Sequence, residues 1–158
     1  MIYTAQTKKA IKLMYDKHKN QKDKGGMPYV LHPLHLAEQM DDEDSTVVAL
    51  LHDIVEDTDI TITNLNELGF TKEQIEAINI MTHPSGMDYF DYIKRIATND
   101  ISLKVKLADL QHNMDLTRLN NITINYLERI KKYRKCYDYL LRVKNFQSEK
   151  KENSELKR

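Results

Sequence analysis

The segment Val47-Val48-Ala49-Leu50-Leu51-His52-Asp53-Ile54-Val55-Glu56-Asp57 sets four ionisable side chains into an otherwise apolar run. At helical spacing His52 falls one turn from Glu56, and Asp53 one turn from Asp57, so the four make one stripe. The aliphatic residues around them cover most of the remaining circumference, which predicts a helix buried on nearly all sides. Carboxylates in such surroundings cost on the order of several kcal/mol each unless paired or bound to a cation. A divalent metal is the direct compensation, and the chemistry it implies is hydrolysis by an activated water.

His52 and Asp53 alone make a weak site, and two further residues are candidates to complete it. His32 stands at the start of a short helix, a rigid position from which its ring can point away from the chain. Asp109 is a carboxylate inside a second apolar-patterned helix, Val105 to Met114. Two imidazoles and two carboxylates suit Mn²⁺, Fe²⁺ or Zn²⁺ with water in the open positions. Each residue also has a plainer reading. A single interior histidine is more often a hydrogen-bonded core residue, and Asp109 has Lys106 one turn away for an i,i+3 ion pair. His35 and His112 read as packing residues or supports behind the ligands. His18 and His83 read as surface or loop positions. Lys22 and Lys24 lie in the loop beside His32, where they either attract substrate phosphates or are simply solvated.

Three segments carry a resemblance to a known family. Pro28-Tyr29-Val30-Leu31-His32-Pro33, Ala49-Leu50-Leu51-His52-Asp53-Ile54-Val55-Glu56-Asp57-Thr58, and Lys106-Leu107-Ala108-Asp109 with His112-Asn113-Met114 occur in one order. Together, over roughly residues 4 to 119, they resemble the HD hydrolase domain of RelA/SpoT proteins. Within that family they are most similar to stand-alone small alarmone hydrolases of the metazoan SpoT-homologue type. The resemblance implies that His32, His52, Asp53 and Asp109 are metal ligands, usually for Mn²⁺. It implies that Glu56 and Asp57 position or deprotonate the attacking water, and that Asn113 contacts the ribose region of a nucleotide. The reaction implied is removal of pyrophosphate from the 3′ position of ppGpp or pppGpp, part of the stringent response.

The chain departs from the family pattern where substrate is met. An Arg that contacts guanine is usual in the loop before Pro-Tyr, and this chain has Gln21-Lys22-Asp23-Lys24 there. Asp23 carries the wrong charge and lacks a planar guanidinium for stacking. The usual Arg-Leu after the Lys-Leu-Ala-Asp segment is Leu110-Gln111, and the usual Arg-Thr after Asn-Met is Asp115-Leu116. The metal-ligand positions therefore match while several substrate-facing ones differ.

The elements that must hold these residues are helical. Thr4 caps a first helix to about Lys19, and a polar segment with Gly25-Gly26 and Pro28 interrupts before the helix opened by His32-Pro33. The acidic run Asp41 to Asp44 favours the N-terminal end of the buried helix. A helix from about Ile62 stops at Gly69, and Thr71 with Gln74 forms a capping box for one reaching about Met81. Further helices are expected over Met87–Thr98, Ile101–Leu116 and Thr123–Phe146. Tyr89, Tyr92, Lys94 and Arg95 are candidates to line a nucleotide pocket, although Tyr89, Ile93 and Ile96 also have core spacing. Tyr126, Tyr133, Tyr137 and Leu141 read as a stripe for core or dimer contact rather than a cofactor box.

Composition bounds the rest. A length of 158 residues fits one domain, and 41% hydrophobic with 30% charged residues is globular. Lys+Arg and Asp+Glu balance at 24 each, which argues against a strongly basic nucleic-acid binder. The single Cys136 rules out an internal disulfide and suits a reducing compartment. No signal peptide or apolar span is evident, so a cytoplasmic protein without membrane partners is expected. The expectation is an all-α, single HD-domain helical bundle over residues 1–146, with a polar, disordered tail over 147–158 and no synthetase region. It is expected to act as a metal-dependent nucleotide (pyro)phosphohydrolase. Metal is held by His32, His52, Asp53 and Asp109, Glu56 and Asp57 are catalytic, and Asn113 and Lys24 bind substrate. An HD nucleotidase with another nucleotide substrate and a non-catalytic nucleotide-sensing module are the alternatives, and homo-oligomerisation is left open.

Overall fold

The aliphatic run Val47 to Leu51 is buried along its whole length and lies at the centre of the fold. In the computed structural model, which describes residues 1–155, it belongs to one of nine α-helices, which with one 3-10 turn make up the fold. They are α1 (Ala5–His18), α2 (Leu31–Glu38), α3 (Glu43–Leu51), α4 (Ile54–Asp57), α5 (Ile62–Glu67), α6 (Lys72–Met81), α7 (Tyr89–Ile96), α8 (Asp100–Asn113), a 3-10 turn at Leu116–Arg118, and α9 (Ile124–Glu155). Among the described residues the extended pairing is one isolated antiparallel bridge between Lys22 and Pro28. The architecture is all-α.

Local signals in the chain account for most helix ends. Thr4 accepts from the Thr7 amide at the start of α1, and Asp42 accepts from the Ser45 amide at the start of α3. Thr71 and Gln74 form the expected reciprocal capping box. The same Gln74 is buried and donates to Asp44 Oδ1 at 2.8 Å, which pins the start of α6 to the start of α3.

Two apolar clusters form, and α8 belongs to both. Around α3, residues of α1, α2 and α6 pack with Val105 and Ala108 of α8. Around α7 and α9, Leu103, Leu107 and Leu110 of α8 pack with Ile93, Ile96, Cys136 and Leu140. Residues 105 and 108 share one face and 103, 107 and 110 another, so α8 is apolar on two sides. Its buried Lys106 and Asp109 are held between those faces.

Three expectations are corrected. The helix predicted through His52 to Asp57 ends at Leu51, and α4 begins anew at Ile54. Asp53 at φ −102°, ψ 2° occupies the bridge region, which breaks the helical register. The four ionisable groups are therefore not one buried stripe: His52 is buried, Asp53 is partly covered, and Glu56 and Asp57 are exposed. The tail expected to be disordered continues α9 to Glu155, while residues 156–158 lie outside the described residues. Its Glu, Lys and Gln residues propagate a helix without needing apolar burial. His18, expected at the surface, is buried, bonded through Nδ1 to Gln21 Oε1 at 2.7 Å and packed against Tyr29. No helix among the described residues is long and apolar enough to cross a membrane.

Candidate metal centre

His32 from α2, His52 from the end of α3 and Asp109 from α8 converge, each offering one ligand atom within 4.8 Å of the others. All three are buried. His32 Nε2 lies 3.2 Å from Asp109 Oδ1, and His52 Nε2 lies 4.0 Å from the same oxygen. Asp53 stands beside this trio rather than within it, its Oδ2 3.0 Å from His52 Nε2. The break between α3 and α4 is what turns two neighbouring side chains, His52 and Asp53, toward one point.

The Asp109 carboxylate serves two purposes. Oδ2 meets Lys106 Nζ at 2.7 Å, the ion pair that helical spacing allows, while Oδ1 faces the histidines and accepts from Asn113 Nδ2 at 2.6 Å. Burial works against ionising Asp109, but Lys106 and His32 outweigh it and hold its carboxyl well below the usual range. Burial also opposes ionisation of Asp53, yet the imidazoles of His52 and His32 keep its carboxyl below the ordinary value. For His52 burial alone would lower the pKa; the charges of Asp53 and Asp109 prevail and push it up to about 9. The field at this point thus favours positive charge on Nε2 of His52.

That nitrogen supplies the test of fit for a cation. His52 Nδ1 is 2.9 Å from the Ala49 carbonyl, which can only accept, so Nδ1 carries the proton. Nε2 is buried and has no hydrogen-bond partner among the described residues, Asp53 Oδ2 being near but not bonded. Buried polar atoms are seldom left so. A divalent metal such as Mn²⁺, Fe²⁺ or Zn²⁺ fits this position, taking the Nε2 lone pair in place of a proton and facing two carboxylates and a second imidazole.

The centre opens on a cavity of about 780 Å³. His32, Asp53, Glu56, Asp57 and Asn113 line its inner end, and Lys22, Lys24, Arg118 and Arg129 with Tyr126 and Tyr133 line the remainder. Although solvent reaches both, desolvation by the surrounding protein and the charge of Asp53 raise the pKa of Glu56 and of Asp57, for Glu56 against the opposing His83 amide. That amide donates to Glu56 Oε2 at 3.1 Å, a contact for which His83 itself gave no sequence signal. Lys24 is exposed, its Nζ 5.9 Å from the centre of the Tyr126 ring, and Arg129 approaches the same ring at 5.9 Å.

Several residues here, Arg118 among them, escaped the sequence reading as site residues. Tyr29, quoted only within a motif, donates its hydroxyl to Asp53 Oδ2, and burial with that carboxylate's charge raises its pKa. Tyr126 and Tyr133 had the spacing of core, and Arg129 beside them carried no signal of its own. Tyr89, Tyr92, Lys94 and Arg95 do not line this cavity; Tyr92 is buried and bonded to the Met81 carbonyl.

Asp23, the departure noted above, is fully engaged. Its Oδ1 accepts from the amides of Gly25 and Met27 at 2.9 Å each, and its Oδ2 meets Arg118 Nη2 at 3.0 Å. Arg118 also donates to the His112 carbonyl, and Asn120 donates to the Gly25 carbonyl. A Cβ at Gly25 would run into the Arg118 carbonyl, so only glycine lets the two segments close together.

No family model matches the chain. A probable guanosine-3′,5′-bis(diphosphate) 3′-pyrophosphohydrolase of Synechocystis sp. is 35% identical over 115 residues, covering 63% of this chain and 15% of its own length. A probable enzyme of the same name from Mycoplasma genitalium is 32% identical over 117 residues, covering 72% of this chain and 14% of its own. The bifunctional (p)ppGpp synthase/hydrolase SpoT of Escherichia coli is 32% identical over 114 residues, covering 63% and 16%. The chain thus spans about 15% of the length of the curated relatives it matches. A solved structure described as a metazoan ortholog of SpoT that hydrolyzes ppGpp and plays a role in starvation responses superposes with TM-score 0.74. The match covers 90% of this chain and 88% of that one at 23% identity, and it shows the shared fold. By sequence and by architecture, this all-α bundle resembles the HD domain of RelA/SpoT-type hydrolases.

Proposed function

We propose that this chain is a metal-dependent phosphohydrolase that removes pyrophosphate from the 3′ position of a guanosine nucleotide of the ppGpp type. The observation that carries the reading is the buried, unbonded Nε2 of His52, facing His32 and Asp109 at the inner end of the cavity. The similarity to pyrophosphohydrolases supports the substrate class.

His32, His52, Asp53 and Asp109 would hold the cation, and Mn²⁺ is the metal we favour for a site of two imidazoles and two carboxylates. Once bound, it would offset charge growing on the phosphoryl oxygens and ease ionisation of a water. The chain's own groups do the rest. Glu56 and Asp57 orient that water at the cavity's inner end and take its proton, their raised pKa values making them better bases than ordinary carboxylates. As the new P–O bond forms, the bond from phosphorus to the ribose 3′ oxygen breaks, and the proton taken from the water by the carboxylate pair passes to that oxygen as it leaves. Asn113 and Lys24 hold the nucleotide, and Lys22 and Arg129 at the outer end suit a second phosphorylated group.

One observation favours a second reading, the same chemistry on another phosphorylated nucleotide. Asp23 is spent on Arg118 and its own loop, so the base end of the cavity is built from different groups. Incubation with Mn²⁺ and ppGpp decides the matter. Release of pyrophosphate with GDP supports the first reading, orthophosphate from a screen of 5′- and 3′-phosphorylated nucleotides the second, and tight binding without turnover a sensing module.

A further inference from the structure

His32 and His52 present Nε2 to the same cluster but are held from behind by different chemistry. Behind His52 stands the Ala49 carbonyl, which can only accept. Behind His32 stands another imidazole: Nδ1 of His32 and Nδ1 of His112 are 2.7 Å apart. The two rings are within 7° of parallel with centroids 4.9 Å apart. Their planes can be no farther apart than the nitrogen contact, so the rings lie side by side, joined edge to edge. His35 stacks against His112 at 4.1 Å and fixes that ring in turn.

Two facing nitrogens at this distance require one proton and one lone pair. Were His112 the donor, neutral His32 would carry its proton on Nε2, pointing at Asp109 Oδ1 3.2 Å away, and would offer a cation nothing. With His32 as donor, its Nε2 lone pair enters the cluster as that of His52 does. We propose that His112 is the positioning residue of His32, accepting the Nδ1 proton so that His32 can serve as a ligand. The inference rests on the metal-centre reading above. It differs from the arrangement at His52 in kind, since a carbonyl enforces one tautomer while an imidazole permits two.

The test is Mn²⁺ binding, by electron paramagnetic resonance, to the wild-type chain and to His112→Phe and His112→Asn, with circular dichroism confirming the fold. Phe keeps a flat ring against His35 but cannot accept; Asn restores an acceptor oxygen. Affinity is expected to fall about 10- to 100-fold in His112→Phe and to recover in part in His112→Asn. In Zn²⁺-loaded protein carrying ¹⁵N-histidine, His112 is expected to bear its proton on Nε2. A wild-type chain that binds Mn²⁺ with His112→Phe binding it equally well overturns this inference alone, as does a proton on Nδ1 of His112. A folded wild-type chain that binds neither metal overturns the metal-centre reading and this inference with it.

Discussion

Lys106 Nζ lies 2.7 Å from Asp109 Oδ2, and both side chains are buried between the two apolar clusters. Removing one partner of such a pair leaves the other charge uncompensated, which costs about 3–5 kcal/mol. Lys106→Met is therefore expected to destabilise the chelated protein by roughly that amount in urea unfolding. Added Mn²⁺ should restore part of the loss, because a cation at Oδ1 substitutes for the missing charge. A stability unchanged from wild type would mean that Asp109 is not ionised as described.

Glu56 lines the cavity without belonging to the ligand cluster. Glu56→Gln should lower kcat about 10²- to 10⁴-fold while Mn²⁺ affinity stays near wild type. If binding of the metal falls in step with the rate, Glu56 is a ligand and not the proton acceptor.

Stability of the chelated protein should depend on pH through His52. Its folded value, about 9, lies above the 6.5 of a free imidazole, so the contribution is complete below pH 6.5 and lost as pH rises through 9. The shift corresponds to roughly 3 kcal/mol. Melting temperature with chelator present should fall across this window. Mn²⁺ should stabilise more strongly over the same rise, since it no longer competes with a proton for Nε2. A chelated protein whose melting point climbs between pH 6.5 and 9 contradicts this assignment.

Tyr29 and Asp53 share a hydrogen bond at the cavity's inner end. Tyr29→Phe removes the donor that orients this carboxylate, and Mn²⁺ affinity should drop about 10-fold with little change in fold. Calorimetric titration of both proteins measures it directly; equal affinities would assign the tyrosine to packing alone.

Arg118 ties the Asp23 loop to the segment after α8 through bonds to Asp23 and to the His112 carbonyl. Arg118→Ala should raise KM for a nucleotide substrate more than it lowers kcat, because it loosens the cavity wall and leaves the ligands in place. A kcat effect with unaltered KM would place Arg118 in the chemistry instead.

Helical periodicity and capping residues made much of this architecture readable in advance, as at Thr4 and the Thr71–Gln74 box. The three motif segments placed His32, His52 and Asp109 in one cluster although the first and last stand 77 positions apart. The break at Asp53 was not legible, because its cause is a backbone conformation and the apolar pattern continues through it. Nor was the outer wall of the cavity. Tyr126 and Tyr133 have the spacing of any packed stripe, and only the seating of α9 against α8 shows which of the aromatic residues face the cavity. The run after Phe146 misled for a related reason: polarity speaks of exposure, and an exposed segment of good helix formers still coils.

α8 carries Asp109 yet reaches α9 through other residues, Leu103, Leu107 and Leu110. The cation's surroundings and the wall bearing Tyr126, Arg129 and Tyr133 are consequently separate modules sharing one strut. A substitution on the outer wall therefore need not disturb His32, His52 and Asp109.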